Sequence, residues 1–198
     1  FTLGMGTLIL FLINMHRKLL ITGNRVKERN KGILVEATGN IYVHGLSYSP
    51  DTSDSYLALP CFTRSINEYE YFAISYNVLE NFGSLYPSVI LVVACEDDTI
   101  VTIGSNSVML NGTETYLIVN TTSDLTGIRI ASSKPLSVIS GVDCATLVPN
   151  IGFCDHLVEQ VPPTVTWGSQ FFVGSLSGRN SNQLIRVLSA RSATVTVT

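Results

Sequence analysis

Short apolar runs, closed by turn residues about every 8–12 positions and never sustaining a 3.6-residue period, constrain this chain more than any other feature. VILVVACEDDTIVTIG, residues 89–104, reads as strand, acidic turn, strand. EYEYFAISY (68–76) and GSQFFVGSL (168–176) read as aromatic-rich strands, and QLIRVLSA and ATVTVT close the sequence as two more. The nearest approach to a helix, DHLVEQV at 155–161, runs into Pro162 and Pro163. Proline lacks the N–H that a helix needs, so at most one turn is expected there. In SVMLNGTETYLIV (107–119), Asn111-Gly112 separates two β-favouring runs. Both residues tolerate positive φ, so a tight hairpin tip is predicted.

Composition agrees with the periodicity. Apolar residues make up 45% of 198 positions, enough for a substantial core, while charged residues make up only 14%. That balance suits half-buried pleated surfaces better than solvated helices. The expected fold class is all-β, built of antiparallel β-sandwich units.

An internal echo suggests how those units divide. Gly32-Ile33-Leu34-Val35 followed by Ile41-Tyr42-Val43 is echoed by Gly127-Ile128-Arg129-Ile130, a Lys134-Pro135 turn, and Leu136-Ser137-Val138. DSYLALP (54–60) then corresponds to DHLVEQVP (155–162), and each is followed by an aromatic run and a Thr-alternating run. Read as a duplication, 32–126 is one sandwich unit, 127–198 begins a second and incomplete one, and 1–31 is an atypical N-terminus or the strands of a preceding unit. The chain lacks an initiating Met and stops inside ATVTVT, so it reads as a fragment truncated at both ends.

FTLGMGTLILFLINM, residues 1–15, is shorter than a bilayer span, contains Gly4, Gly6 and Asn14, and has its positive charges after the apolar part. A buried strand is expected, with no transmembrane span. The net charge of −3 supplies no positive field for phosphate, which argues against a nucleic-acid partner. The basic positions His16-Arg17-Lys18, Arg25, Lys27, Arg29 and Lys31 are interrupted and read as a solvated loop.

Four cysteines, Cys61, Cys95, Cys144 and Cys154, contain no CxxC pair, so neither a structural zinc site nor a thioredoxin-like motif is expected. An even number fits two disulfides and hence an oxidising compartment. Asn111-Gly-Thr113 and Asn120-Thr-Thr122 are N-glycosylation sequons consistent with that setting.

The most unusual run is CDHLVEQVPPTVTWG, residues 154–168. His156 lies two residues from Cys154, on the same face if the segment is a strand, which permits a thiol nucleophile with its base. His156-x-x-Glu159 lacks the second imidazole of HExxH, and His16 and His44 lie in unrelated contexts. The paired acids Asp97-Asp98 read as a turn, with a calcium site or paired-acid hydrolase as the less favoured alternatives. No GxSxG, phosphate loop or dinucleotide fingerprint is present, and no cofactor is implied.

A staple uses every residue of the run. A Cys144–Cys154 bridge would stabilise by roughly 2–3 kcal/mol through loop entropy, Pro162-Pro163 would fix an extended exit, and Trp167 would lie beside it as an apolar plate. Cys61 and Cys95 then form the second pair, the two crossed connectivities staying open from sequence.

SSKPLSVISGVDCATLVPNIGFCDHLVEQVPPTVTWGSQFFVGSL, together with KGILVEATGNIYVHGLSYSPDTSDSYLALP, resembles the N-terminal region of the IgGFc-binding protein family. The resemblance covers about residues 31–198 and is sharpest over 140–168 and 54–60; before them only the LILFLIN and LLIT pieces compare. It implies a secreted or cell-surface, mucus-associated module of large mosaic proteins that often carry von Willebrand-type domains. Cys144 and Cys154 match paired cysteines of the family, whereas Cys61 and Cys95 fall where a small residue is expected. The resemblance supplies no residue-level motif for the immunoglobulin ligand.

The function expected is therefore non-catalytic: an extracellular adhesion module that binds a protein or glycoprotein. A hydrolase using Cys154-His156 or paired acids is the alternative. Tyr42, Tyr48, Tyr56, Tyr69, Tyr71 and Tyr76 could supply contact area at low entropy cost, with most of them expected half-buried in strands.

Overall fold

The computed structural model describes residues 25–29, 31–48, 52–61, 67–77, 79–81, 84–146, 154–174 and 184–197. Within them the fold is all-β and antiparallel, with two sheets packed face to face. The larger sheet has the order β1 (Arg25–Glu28), β10 (Thr115–Asn120), β7 (Ser88–Ala94), β12 (Leu136–Ala145), β13 (Asp155–Val161). The second has the order β4 (Tyr69–Phe72), β11 (Arg129–Ser132), β8 (Thr99–Ile103), β9 (Asn106–Leu110). Two hairpins complete the set, β2 (His44–Tyr48) with β3 (Ser53–Leu57), and β5 (Leu79–Asn81) with β6 (Ser84–Tyr86).

Alternation decides which side chains meet between the sheets. Ser88, Ile90, Val92 and Ala94 of β7 face inward, as do Val138 and Val142 of β12. Ile90, Val92, Ala94 and Val138 meet Tyr71, Val101, Ile103, Leu110 and Ile130 of the other sheet in one core. Tyr71 is fully buried, and its hydroxyl donates to the carbonyl of Leu136 at 3.2 Å and accepts the Leu136 N–H at 3.0 Å. Its polar tip is thus satisfied inside an apolar interior, and burial pushes the phenol up to about 12. The opposite face of β7 carries Val89, Leu91 and Val93, all half-buried, which is why this strand reads as a continuous apolar run.

The boundary expected at 126/127 falls between β10 and β11. Strands from both sides of it share both sheets: β12 pairs with β7 in the larger, and β11 lies between β4 and β8 in the smaller. Residues of 32–126 and of 127–161 therefore share the same core, because β11 and β12 bury their apolar faces against strands of the earlier segment.

Asn111-Gly112 joins β9 to β10, which belong to different sheets, so the expected hairpin is a corner between layers. β9 is already paired with β8 through the Gly104-Ser105 turn, leaving it no second partner across Asn111. Positive φ falls on Thr113 (65°). The acidic turn is a second such corner, from β7 to β8, with Asp98 at φ 54°.

DHLVEQV is strand β13, paired with β12 from Val138↔Val161 to Ala145↔Asp155, and no helical turn forms there. A cross-strand partner satisfies one side of the backbone, and Pro162 and Pro163 lie just beyond the ladder. Residues 168–174 and 184–197 have no ladder partner among the described residues, so the strands expected there do not form, and Phe172 is 93% exposed. The reading of residues 1–15 as a buried strand, like that of His16-Arg17-Lys18, lies outside the described residues, whereas Arg25 and Lys27, expected in a solvated loop, lie on β1, because β10 offers that segment a ladder partner.

Candidate functional site

One described edge of the larger sheet is β13, opposite β1, and an open strand edge invites unwanted pairing. Its exposed donors are satisfied by side chains. The N–H of His156 donates to Thr52 Oγ1 (2.7 Å), that of Val158 to Asp54 Oδ2 (2.8 Å), and that of Gln160 to its neighbour Glu159 (3.1 Å). The Gln160 amide in turn clamps Leu59, accepting its N–H at 2.9 Å and donating to its carbonyl at 3.2 Å. These contacts lay the β2–β3 hairpin along β13.

Two disulfides frame the arrangement. Cys144–Cys154 ties the end of β12 to the start of β13, and Cys61–Cys95 ties the segment after β3 to the end of β7. No described cysteine is free. Cys154 sulfur is thus bonded to Cys144, which leaves no thiolate for His156 to activate. The His156 ring Nδ1 lies 3.0 Å from the Val142 carbonyl and 3.3 Å from that of Asp143, so that nitrogen carries the proton and donates.

Glu159, three positions along the same strand, projects to the opposite face from His156, so the pair does not converge. Among the described residues no group of three His, Cys, Asp or Glu side chains converges on a metal position. Desolvation raises the Glu159 carboxyl above its ordinary value, and nearby Asp54 adds to the effect. Asp97 and Asp98 sit on the corner: Asp97 accepts the Gly112 N–H at 2.8 Å, and Asp98 gives its own N–H to Asn111 at 3.2 Å. The two corner turns are thereby locked together.

Trp167 does not lie beside the disulfide as expected. Its ring centroid is 6.0 Å from that of Phe72 on β4, and its indole N–H donates to the Pro162 carbonyl at 3.1 Å. The short 3-10 turn Thr164–Thr166 swings it there.

The six tyrosines divide by environment. Tyr69 and Tyr71 are core, Tyr56 is half-buried over Gly45, and Tyr76 lies under the Arg186 guanidinium at 4.9 Å. Tyr42 and Tyr48 are 75% and 72% exposed. His44 and Leu46 lie with Tyr48 on the outward face of β2, and the ring of Tyr42, just before the strand, stacks on that of His44 with centroids 6.3 Å apart. The sequence carried a signal for this stripe in the i, i+2 spacing of IYVHGLSY. Asp54, Thr52 and Gln160 had none, because their roles exist only once β3 lies against β13.

Residues 54–198 match the family described as IgGFc binding protein. The chain is 33% identical over 73 residues to the IgGFc-binding protein of Homo sapiens, which is 37% of this chain and 1% of that protein. The chain thus spans a very small part of its relative. No solved structure matches it. The chain belongs to the IgGFc-binding protein family.

Proposed function

We propose that this member of the IgGFc-binding protein family is a non-catalytic, disulfide-stapled extracellular module. It binds a protein or glycoprotein ligand in adhesion or in mucus- or matrix-type assembly. The observation that carries this reading is the pairing of two crosslinks with a hairpin that they and β13 hold rigid while its aromatic outer face stays open to solvent. Disulfides persist in oxidising compartments, and rigid aromatic side chains give contact area at low entropy cost.

The same setting makes Asn111 and Asn120 glycan acceptors. Asn111 is exposed at the β9–β10 corner, and Asn120 ends β10 in a turn where its Oδ1 accepts from Thr122 Oγ1 at 2.8 Å.

The test is expression through a secretory pathway, intact mass under non-reducing conditions, and surface-plasmon binding. Immunoglobulin Fc, the ligand in the relative's name, and a mucin-type glycoprotein are the two probes. Four thiols consumed in two bridges, with saturable binding to either probe, support the reading. Reduced cysteines, or hydrolysis of an ester substrate that is abolished by His156→Ala, would overturn it.

A further inference from the structure

We propose that the outer face and free edge of β2 form a docking strip for an extended, arginine- or lysine-bearing segment of a partner protein. This rests on the protein-binding reading above and names the surface and the partner's chemistry.

Backbone provides the first part of the case. β2 pairs with β3 on one side, and on the other side no described residue pairs with it. Such an edge accepts an added strand, with main-chain hydrogen bonds giving affinity and alternate side chains giving specificity. β13 has its edge donors capped by side chains, and no described hydrogen bond does the same for β2.

Side chains provide the second. His44, Leu46 and Tyr48 share one face of the strand, and Tyr42, two residues before it, stacks on His44. Leu46 is 64% exposed and Leu57, on the neighbouring strand, 42%. An added strand would place every second side chain beside this stripe.

Charge selects the partner. Residues 32–61 and 135–161 contain no Lys or Arg, whereas Glu36, Asp54, Asp143, Asp155 and Glu159 all lie within them. A small cavity of about 70 Å³ opens at the end of the stripe, lined by Ser47, Tyr48, Thr52, Asp143 and His156. An aromatic face next to a carboxylate suits a guanidinium or ammonium, which gains a cation–π contact and a charge-assisted hydrogen bond together. An acidic segment would meet like charge.

The test uses the full chain and fluorescence anisotropy with a labelled peptide alternating Val and Arg. Two comparison peptides carry Glu in place of Arg, or N-methyl groups on alternate amides. The Val/Arg peptide should bind saturably and both comparison peptides at least about tenfold more weakly, the range that lost cation–π and ladder contacts imply. The exposed-residue variant Tyr42→Ser/Tyr48→Ser should weaken binding about tenfold, and Asp143→Asn should weaken it and flatten its salt dependence. Met109→Ser, on the far edge of the other sheet, should leave it unchanged.

Equal binding of the Glu peptide, no binding of the Val/Arg peptide, or affinity indifferent to the tyrosine and Asp143 substitutions would each overturn the strip. Where Fc or the glycoprotein still binds these variants at full strength, the strip fails and the binding-module reading stands. Where the wild-type chain binds neither and its cysteines are reduced, that reading fails with it.

Discussion

Oδ2 of Asp54 accepts the backbone N–H of Val158 at 2.8 Å, across 104 positions of sequence. This one carboxylate joins the β2–β3 hairpin to the edge of the sandwich. Removing it leaves a β13 donor without its acceptor, at a cost of about 1–3 kcal/mol. Asp54→Ala should therefore accelerate amide exchange at Val158 and through 44–57, while the Ile90 and Val138 amides keep their protection. Unchanged exchange in the hairpin would refute the attachment.

Gly141 is required by close approach. A Cβ there would lie 1.9 Å from the Leu157 carbonyl oxygen, a backbone atom that cannot move without breaking the β12–β13 ladder. Gly141→Ala should destabilise the fold by about 1–3 kcal/mol, the usual range for overpacking. Urea unfolding checks it, and a midpoint equal to wild type would contradict the close approach.

The two disulfides should differ in worth. Their partners are 34 and 10 positions apart, and loop entropy assigns about 3–4 kcal/mol to Cys61–Cys95 against about 2–3 for Cys144–Cys154. Replacing Cys61 and Cys95 by Ser should lower the unfolding midpoint more and release the segment after β3. Replacing Cys144 and Cys154 should fray the start of β13. A reversed order of midpoints would show that native-state contacts outweigh the loop term.

Glu114 is buried and receives Lys27 at 2.8 Å, Arg29 at 3.3 Å and the Asn111 N–H at 2.9 Å. The Lys27 hydrogen bond first, and the Asn111 N–H next, hold its carboxyl below the usual carboxylate range. A pKa depressed in the folded state means that the unfolded chain binds the proton more tightly. The contribution is therefore complete above about pH 4.3, the usual unfolded glutamate value, and disappears as pH falls through the lower folded value. Glu114→Gln should be less stable at neutral pH and should show a shallower loss of stability on acidification. Parallel urea midpoints for the two proteins from pH 7 to 2 would refute this.

Secretory expression should load glycans on both sequons. Asn111→Gln and Asn120→Gln should each remove one glycan by mass. The second should also lower stability by about 1 kcal/mol, because Asn120 Oδ1 accepts the Thr122 and Ser123 N–H groups at 2.9 and 3.2 Å. An unmodified Asn111 in a secreted protein would sink that assignment.

Periodicity made strands legible at 89–94, 99–103, 107–110 and 136–138, which all carry inward-facing apolar positions, while the continuation of β12 to Ala145 was not read from it. It left DHLVEQV between at most one helical turn and a strand, because length and spacing in seven residues do not separate the two, and only the β12 ladder decides. It placed strands at 168–176, 183–190 and 193–198 on β propensity alone, but a strand needs a neighbour, and the described residues of these runs have no ladder partner among the described residues.

Sequence by itself determined the all-β class, through its spacing of apolar and turn residues, and the aromatic alternation of IYVHGLSY, because both are written in local order. Tertiary structure alone decided that Asn111-Gly112 turns a corner between sheets, that Trp167 lies against Phe72, and that Asp54, Thr52 and Gln160 seal the β13 edge. The physical reason is that backbone donors and apolar faces accept any partner of the right shape, and which partner arrives depends on how distant segments pack.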